Sequence, residues 1–197
     1  MIRLLTALLL FVATSVAHAG DPWVLVDTDR KEIRVYAEGE ELLHLPHIAI
    51  GRGGVSHLRE RGDKTTPLGD FRVAWVNEDS RFHLFFGLDF PNFHHARTAY
   101  NSGLMDLDEF LQITDALRER RLPPQRTAVG GHIGIHGVGD GDPNLHARAN
   151  WTNGCVAVTD DEMDKLAEYI RVGTRVVIAG QAELTAKAEE GALPLSP

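Results

Sequence analysis

From Trp23 to Gly51 the chain reads WVLVDTDRKEIRVYAEGEELLHLPHIAIG, with apolar and polar positions alternating at the two-residue period of half-buried strands. The alternation predicts strands near Trp23–Val26, Glu32–Ala37 and Leu43–Gly51, joined as hairpins through Asp27–Arg30 and Glu38-Gly39. GRGGVSHLRERGDKTTPLGDF follows, rich in glycine and charge, and reads as an exposed loop entering a strand at Gly69–Asn77. RFHLFFGLDFPNFHHA is dense in aromatics, and Phe82, Phe85, Phe86 and Phe90 read as core. The period then changes. Leu107, Phe110, Leu111, Thr114 and Leu117 follow helical spacing from Asp106 to Arg121, with acids in the first turn and arginines in the last, until Pro123-Pro124 stops the helix.

VGGHIGIHG reads as a glycine-bearing strand and Cys155–Val158 as a short buried one. Thr159-Asp160-Asp161-Glu162 is a capping box opening a second helix, with Met163, Leu166, Ala167 and Ile170 toward the core and Gly173 at its end. Thr174–Ala179 is a last strand, and Gln181 to Pro197 reads as a weak helix and frayed tail. Strands dominate and two helices are added, so the expected class is a β-rich sandwich or α+β domain.

The start of the chain has a different character. MIRLLTALLLFVATSVAHAG places Arg3 before an apolar run, Leu4 to Val16, and ends in Ala17-His18-Ala19. This is the pattern of a cleaved secretory signal, residues 1–19, and the run is too short to span a bilayer. The mature protein is expected to be exported, in a bacterium to the periplasm, as one domain with a real core over residues 20–180 and a tail over 181–197. The formal charge of −8 and the lack of a basic run argue against nucleic acid as a partner. No cofactor is called for, and nothing in the sequence sets an oligomeric state.

Cysteine usage sharpens the picture. Exported proteins usually pair their cysteines, and this chain has only Cys155, after Asn153-Gly154. It is an inert buried residue, a dimer bridge, or a thiol kept for chemistry. A nucleophilic thiol needs a base, and His136 stands nineteen positions upstream at the end of one predicted strand, with Cys155 at the start of the next. Adjacent strands would bring the two side chains to one rim. The small Gly154 suits an oxyanion hole of main-chain N–H groups around Asn153, Gly154 and Cys155. The bland alternative is a packing histidine and a small buried thiol.

These residues are similar to a known family. IGIHG, a loop, and TNGCVAVTDDEMDKL resemble the L,D-transpeptidase catalytic domain (YkuD type), as do the upstream GDKTTPLGDFRV and downstream GTRVVI, in that order over roughly Trp23 to Ile178. The resemblance implies a mixed β-sandwich and a cysteine acyltransferase acting on peptidoglycan stem peptides. Cys155 would attack the peptide carbonyl of an L-centre to D-centre bond, often at meso-diaminopimelate, to give a thioester. His136 would act as base and then acid, oriented by the Gly137 carbonyl. An amine acceptor then gives a cross-link or attaches a protein, and water gives hydrolysis. Carbapenems acylate such cysteines in many members.

Two positions depart from the family pattern. Asn153 stands where histidine is common, and Val156-Ala157 stands where a hydrophobic residue and Arg or Asn follow the cysteine. The second departure bears on donor specificity and resembles a divergent branch with a protein-releasing member, so hydrolysis stays open beside transfer. A non-catalytic wall-binding module is the alternative of another class.

His132, His146, Arg148, Trp151 and Thr152 lie near the dyad in sequence and are expected to contact substrate, the alternative being a solvated loop. His132 and His136, four apart on one predicted strand, could with His146 and Cys155 be written as a zinc site, but the spacing is wide and no metal is expected. Arg52, Arg59 and Arg61 could meet an acidic stem peptide, and otherwise form a solvated charged loop.

Overall fold

A computed structural model describes residues 20–189; the expected signal segment and the end of the tail lie outside the described residues. The expected α+β class holds. Among the described residues one eight-stranded mixed sheet dominates, accompanied by the two expected helices, the weak helix expected from Gln181 and two further short helices, five in all. Among the described residues no helix is long and apolar enough to cross a membrane.

The strands are β1 (Trp23–Asp27), β2 (Glu32–Ala37), β3 (Glu40–Pro46), β4 (Val55–Ser56), β5 (Thr66–Pro67), β6 (Gly69–Ser80), β7 (His83–Leu88), β8 (Gly134–His136), β9 (Val156–Ala157) and β10 (Arg175–Ala179). The large sheet has the order β3-β2-β1-β10-β6-β7-β8-β9, and β4 pairs with β5 separately. Most neighbours in the large sheet are antiparallel, but β1 with β10 and β8 with β9 run parallel, as does the separate β4 with β5. The helices are α1 (Phe93–Asn101), α2 (Leu107–Arg118), α3 (Pro143–His146), α4 (Asp160–Ala167) and α5 (Gln181–Glu189).

Strand alternation divides the side chains between two faces. Val24, Val26, Ile33, Val35, Phe71, Val73, Phe86, Leu88, Ile135, Val156, Val176 and Ile178 enter the main core with Ala96, Ala99, Ile113, Met163 and Leu166 from α1, α2 and α4. On the opposite face Trp23, Leu25, Tyr36, Val177 and Ala179 form a second cluster, closed by Leu184 of α5. The capping box at α4 forms as written in the sequence, Thr159 and Glu162 each bonding back to the other's backbone.

Two differences from expectation position the site. The predicted strand Leu43–Gly51 ends at Pro46, and His47 turns the chain at φ 66°. Residues 48–52 therefore leave the hairpin and pair with the cysteine segment, through Ala49 with Ala157 in both directions (2.9 and 2.7 Å) and Arg52 N–H with Thr152 O (3.1 Å). The second difference is in β6. Its register shifts between Val73 and Trp75, so a bulge turns Trp75 and Asn77 away from the core, opposite Gly87 and Phe85.

Candidate active site

Parallel pairing of β8 with β9 sets Ile135 beside Val156 and His136 beside Ala157. Ile135 and Val156 enter the core, so His136 takes the other face, and Cys155, one residue before Val156, takes that face as well. The cysteine segment is held from both sides, by β8 on one edge and by residues 49–52 on the other. His136 and Cys155 line one cavity of about 620 Å³, with Trp75, Phe85, Trp151 and Arg52 also on its wall.

The backbone around the thiol is fixed by Thr152, whose hydroxyl donates to the Cys155 carbonyl (2.6 Å) and accepts the Gly154 N–H (3.1 Å). Gly154 has φ +129°, and a Cβ there would meet Thr65 O at 2.6 Å and Arg59 Nη1 at 2.7 Å, so only glycine fits. The Cys155 thiol donates to the His132 carbonyl at 3.4 Å. His132 has φ 54° and lies just before β8.

His136 is 2% exposed. Its Nδ1 lies 2.6 Å from Gly137 O, and a carbonyl can only accept, so Nδ1 carries the proton and Nε2 carries the lone pair. The Gly137 turn is itself anchored, because Asp160 Oδ1 at the start of α4 accepts from Val138 N–H (2.7 Å) and Gly139 N–H (2.9 Å). The ring is walled by aromatics: Phe82 stacks at 4.4 Å, Phe85 at 5.7 Å, and Trp151 meets it edge-on at 5.7 Å.

This packing sets the protonation states. Burial pushes the His136 imidazole down to about 4, against the opposing pull of the Gly137 carbonyl. Burial pushes the Cys155 thiol up to about 11, although the Gly134 amide and Arg59 act the other way. At neutral pH the two groups therefore rest as thiol and imidazole, not as an ion pair.

The expected contact residues separate. His132, Trp151 and Thr152 line the cavity with the dyad, and Asn153 joins them, its Oδ1 accepting from Arg52 (3.0 Å). His146 and Arg148 line a different cavity with Lys31 and His47, because α3 turns that loop to the other side of residues 48–50. His146 instead accepts from Trp151 Nε1 at 3.3 Å and steadies the indole. His132 precedes β8 rather than sharing its face, and among the described residues no group of three or more His, Cys, Asp or Glu could hold a metal.

Three features escaped the sequence. Phe82 and Phe85, read as core, line the cavity, while Phe86 and Phe90 are core. Trp75 reaches the cavity only through the bulge in β6, which strict alternation does not announce. Arg59, read with a solvated loop, is 4% exposed. Its charge in a glycine-rich run concealed that burial.

Residues 21–178 match the family model described as the YkuD L,D-transpeptidase catalytic domain. Among solved structures, the helical cell shape determining protein Pgp2 from Campylobacter jejuni is similar at 20% identity and TM-score 0.57, over 83% of this chain and 49% of that one. Bd1075 from Bdellovibrio bacteriovorus is similar at 19% identity and TM-score 0.54, over 88% of this chain and 55% of that one. The chain spans about half the length of each. These likenesses concern the fold. No curated protein matches by sequence.

Proposed function

Since the chain belongs to the L,D-transpeptidase catalytic domain family, we propose that it is an exported cysteine acyltransferase that remodels peptidoglycan by way of a thioester on Cys155. The observation that carries the reading is the shared cavity of Cys155 and His136, with Nδ1 tied to the Gly137 carbonyl and Nε2 left as the only basic nitrogen. Tying one nitrogen fixes the tautomer without a carboxylate.

In the first step a stem-peptide carbonyl lies over Cys155. The sulfur attacks while His136 Nε2 takes the thiol proton, and the proton passes to the departing amine as the C–N bond breaks. The Gly154 amide is already taken by Thr152, so of the expected donors the Asn153 and Cys155 amides are left for the developing oxyanion. In the second step an acceptor amine attacks the thioester, loses its proton through His136, and returns the sulfur to its thiol. Because the resting pair is neutral, proton transfer accompanies attack rather than preceding it. The fold shared with Pgp2, named for cell shape, fits a role in wall architecture.

Mass spectrometry of purified muropeptides incubated with the protein tests the reading. New cross-linked dimers mean transfer to an amine, and shortened or released peptides mean hydrolysis of the same thioester. Unchanged muropeptides with folded protein would favour the non-catalytic wall-binding module.

A further inference from the structure

Beside the thiol lies a second cavity of about 590 Å³ that shares Arg52, His132 and Asn153 with the first. Arg59, Arg61, Lys64 and Arg126 complete its charged wall, and no aspartate or glutamate lines it. In a chain of formal charge −8 this is a local inversion of sign. Among the described residues Arg61, Lys64 and Arg126 have no carboxylate partner within ion-pair distance.

Arg59 is the unusual member. Its side chain is 5% exposed, packed over the Phe90 ring (5.6 Å) and against the backbone of Gly130 and Gly154. Its Nε and Nη1 are buried without a hydrogen-bond partner. Asp63 is 3.9 Å from Nε, but its oxygens already accept from the Glu60 and Thr65 amides and the Thr65 hydroxyl, which fold the loop. A buried guanidinium with unused donors is costly and calls for an anion to complete it. The wall is also preset: Arg61 N–H bonds Ala128 O (2.8 Å), tying the Arg-bearing loop to the turn at residues 127–130.

We propose that this groove is the carboxylate subsite of the peptide substrate, with Arg59 at its base and Arg61 and Arg126 at its rim. This rests on the stem-peptide reading above. A peptide whose scissile carbonyl lies over Cys155 extends past Arg52, His132 and Asn153 into the groove, and its free carboxylate meets the exposed guanidinia of Arg61 and Arg126 there, above the buried charge of Arg59. The groove supplies this positive charge from the loop between β4 and β5 and from Arg126 ahead of β8.

The test uses the full mature chain with Cys155→Ala, so that binding is read without turnover. Calorimetry compares a stem tetrapeptide bearing its free carboxylates with the same peptide converted to carboxamides. Amidation should weaken binding about tenfold or more, the scale of one charge-assisted hydrogen bond. The exposed pair Arg61→Ser with Arg126→Ser should abolish most of that discrimination. Equal binding of both peptides, or full discrimination in the double variant, overturns the proposal.

If neither peptide binds, the substrate reading falls, and the groove is judged separately on the intact thiol. There the rate of Cys155 alkylation by iodoacetate relative to neutral iodoacetamide should fall several-fold in the double variant and in high salt. An unchanged ratio overturns the groove as an anion site.

Discussion

The two halves of the sheet carry similar aromatic pairs on the same face, with opposite fates. On β1 and β2, Trp23 stacks on Tyr36 at 5.1 Å, and Leu184 of α5 closes over that cluster. On β6 and β7, Trp75 stacks on Phe85 at 4.9 Å, and both line the open cavity, with no helix over them among the described residues. His136 and Cys155 stand on the uncovered half. The same alternation therefore makes closed packing in one half and an open cavity lined by His136 and Cys155 in the other, and what separates them among the described residues is whether a helix follows. The open half uses aromatics to exclude water from one side of the imidazole while leaving the thiol reachable.

If that contrast is right, the halves respond differently to substitution. The largest effect belongs to the open half. His136→Ala should slow thioester formation by roughly 10²–10⁴-fold, the scale of general acid–base help, measured by rapid-quench mass spectrometry on a stem peptide. An unchanged acylation rate would remove His136 from the chemistry.

Stability against pH comes next. His136 and His95, both buried, are held at about 4, well below the 6.5 of an unfolded histidine. Between pH 6.5 and 4 the unfolded chain binds protons that the folded chain refuses. Stability is therefore fully present above pH 6.5 and is lost as pH falls toward 4, by up to about 3 kcal/mol per histidine. Urea unfolding across this window should show the slope, and His136→Asn should remove about half of the histidine part.

The smallest effect belongs to the closed half. Leu184→Ala should cost about 2 kcal/mol of unfolding free energy by opening the α5 cluster, and should leave the rate of Cys155 alkylation unchanged. A change in thiol reactivity would mean that the two halves are coupled and the contrast fails.

Legibility in the sequence followed how local each signal is. The hairpins at Asp27–Arg30 and Glu38-Gly39 and the Thr159–Glu162 capping box are set by a few adjacent residues, and the structure forms them there. Strand β7 was hidden because HLFFGL is apolar on both faces and shows no alternation. Helix α1 was hidden because it is short, with no acid in its first turn and no base in its last, although Asn92 caps it. At the site, Cys155 and His136 stood out as a lone thiol and a histidine at strand ends. Their wall did not, because Trp75 depends on a bulge, His146 on the direction of α3, and Arg59 on packing against Phe90 and Gly154.

The central claim is that one half-buried sulfur, neutral at rest, carries the acyl group. Intact-mass analysis of the protein incubated with a stem tetrapeptide tests it most directly, with Cys155→Ala as the paired sample. A covalent acyl adduct that maps to Cys155, lost in the variant while its fold is retained, is the predicted result. An adduct on another residue, or turnover persisting in Cys155→Ala, would contradict it.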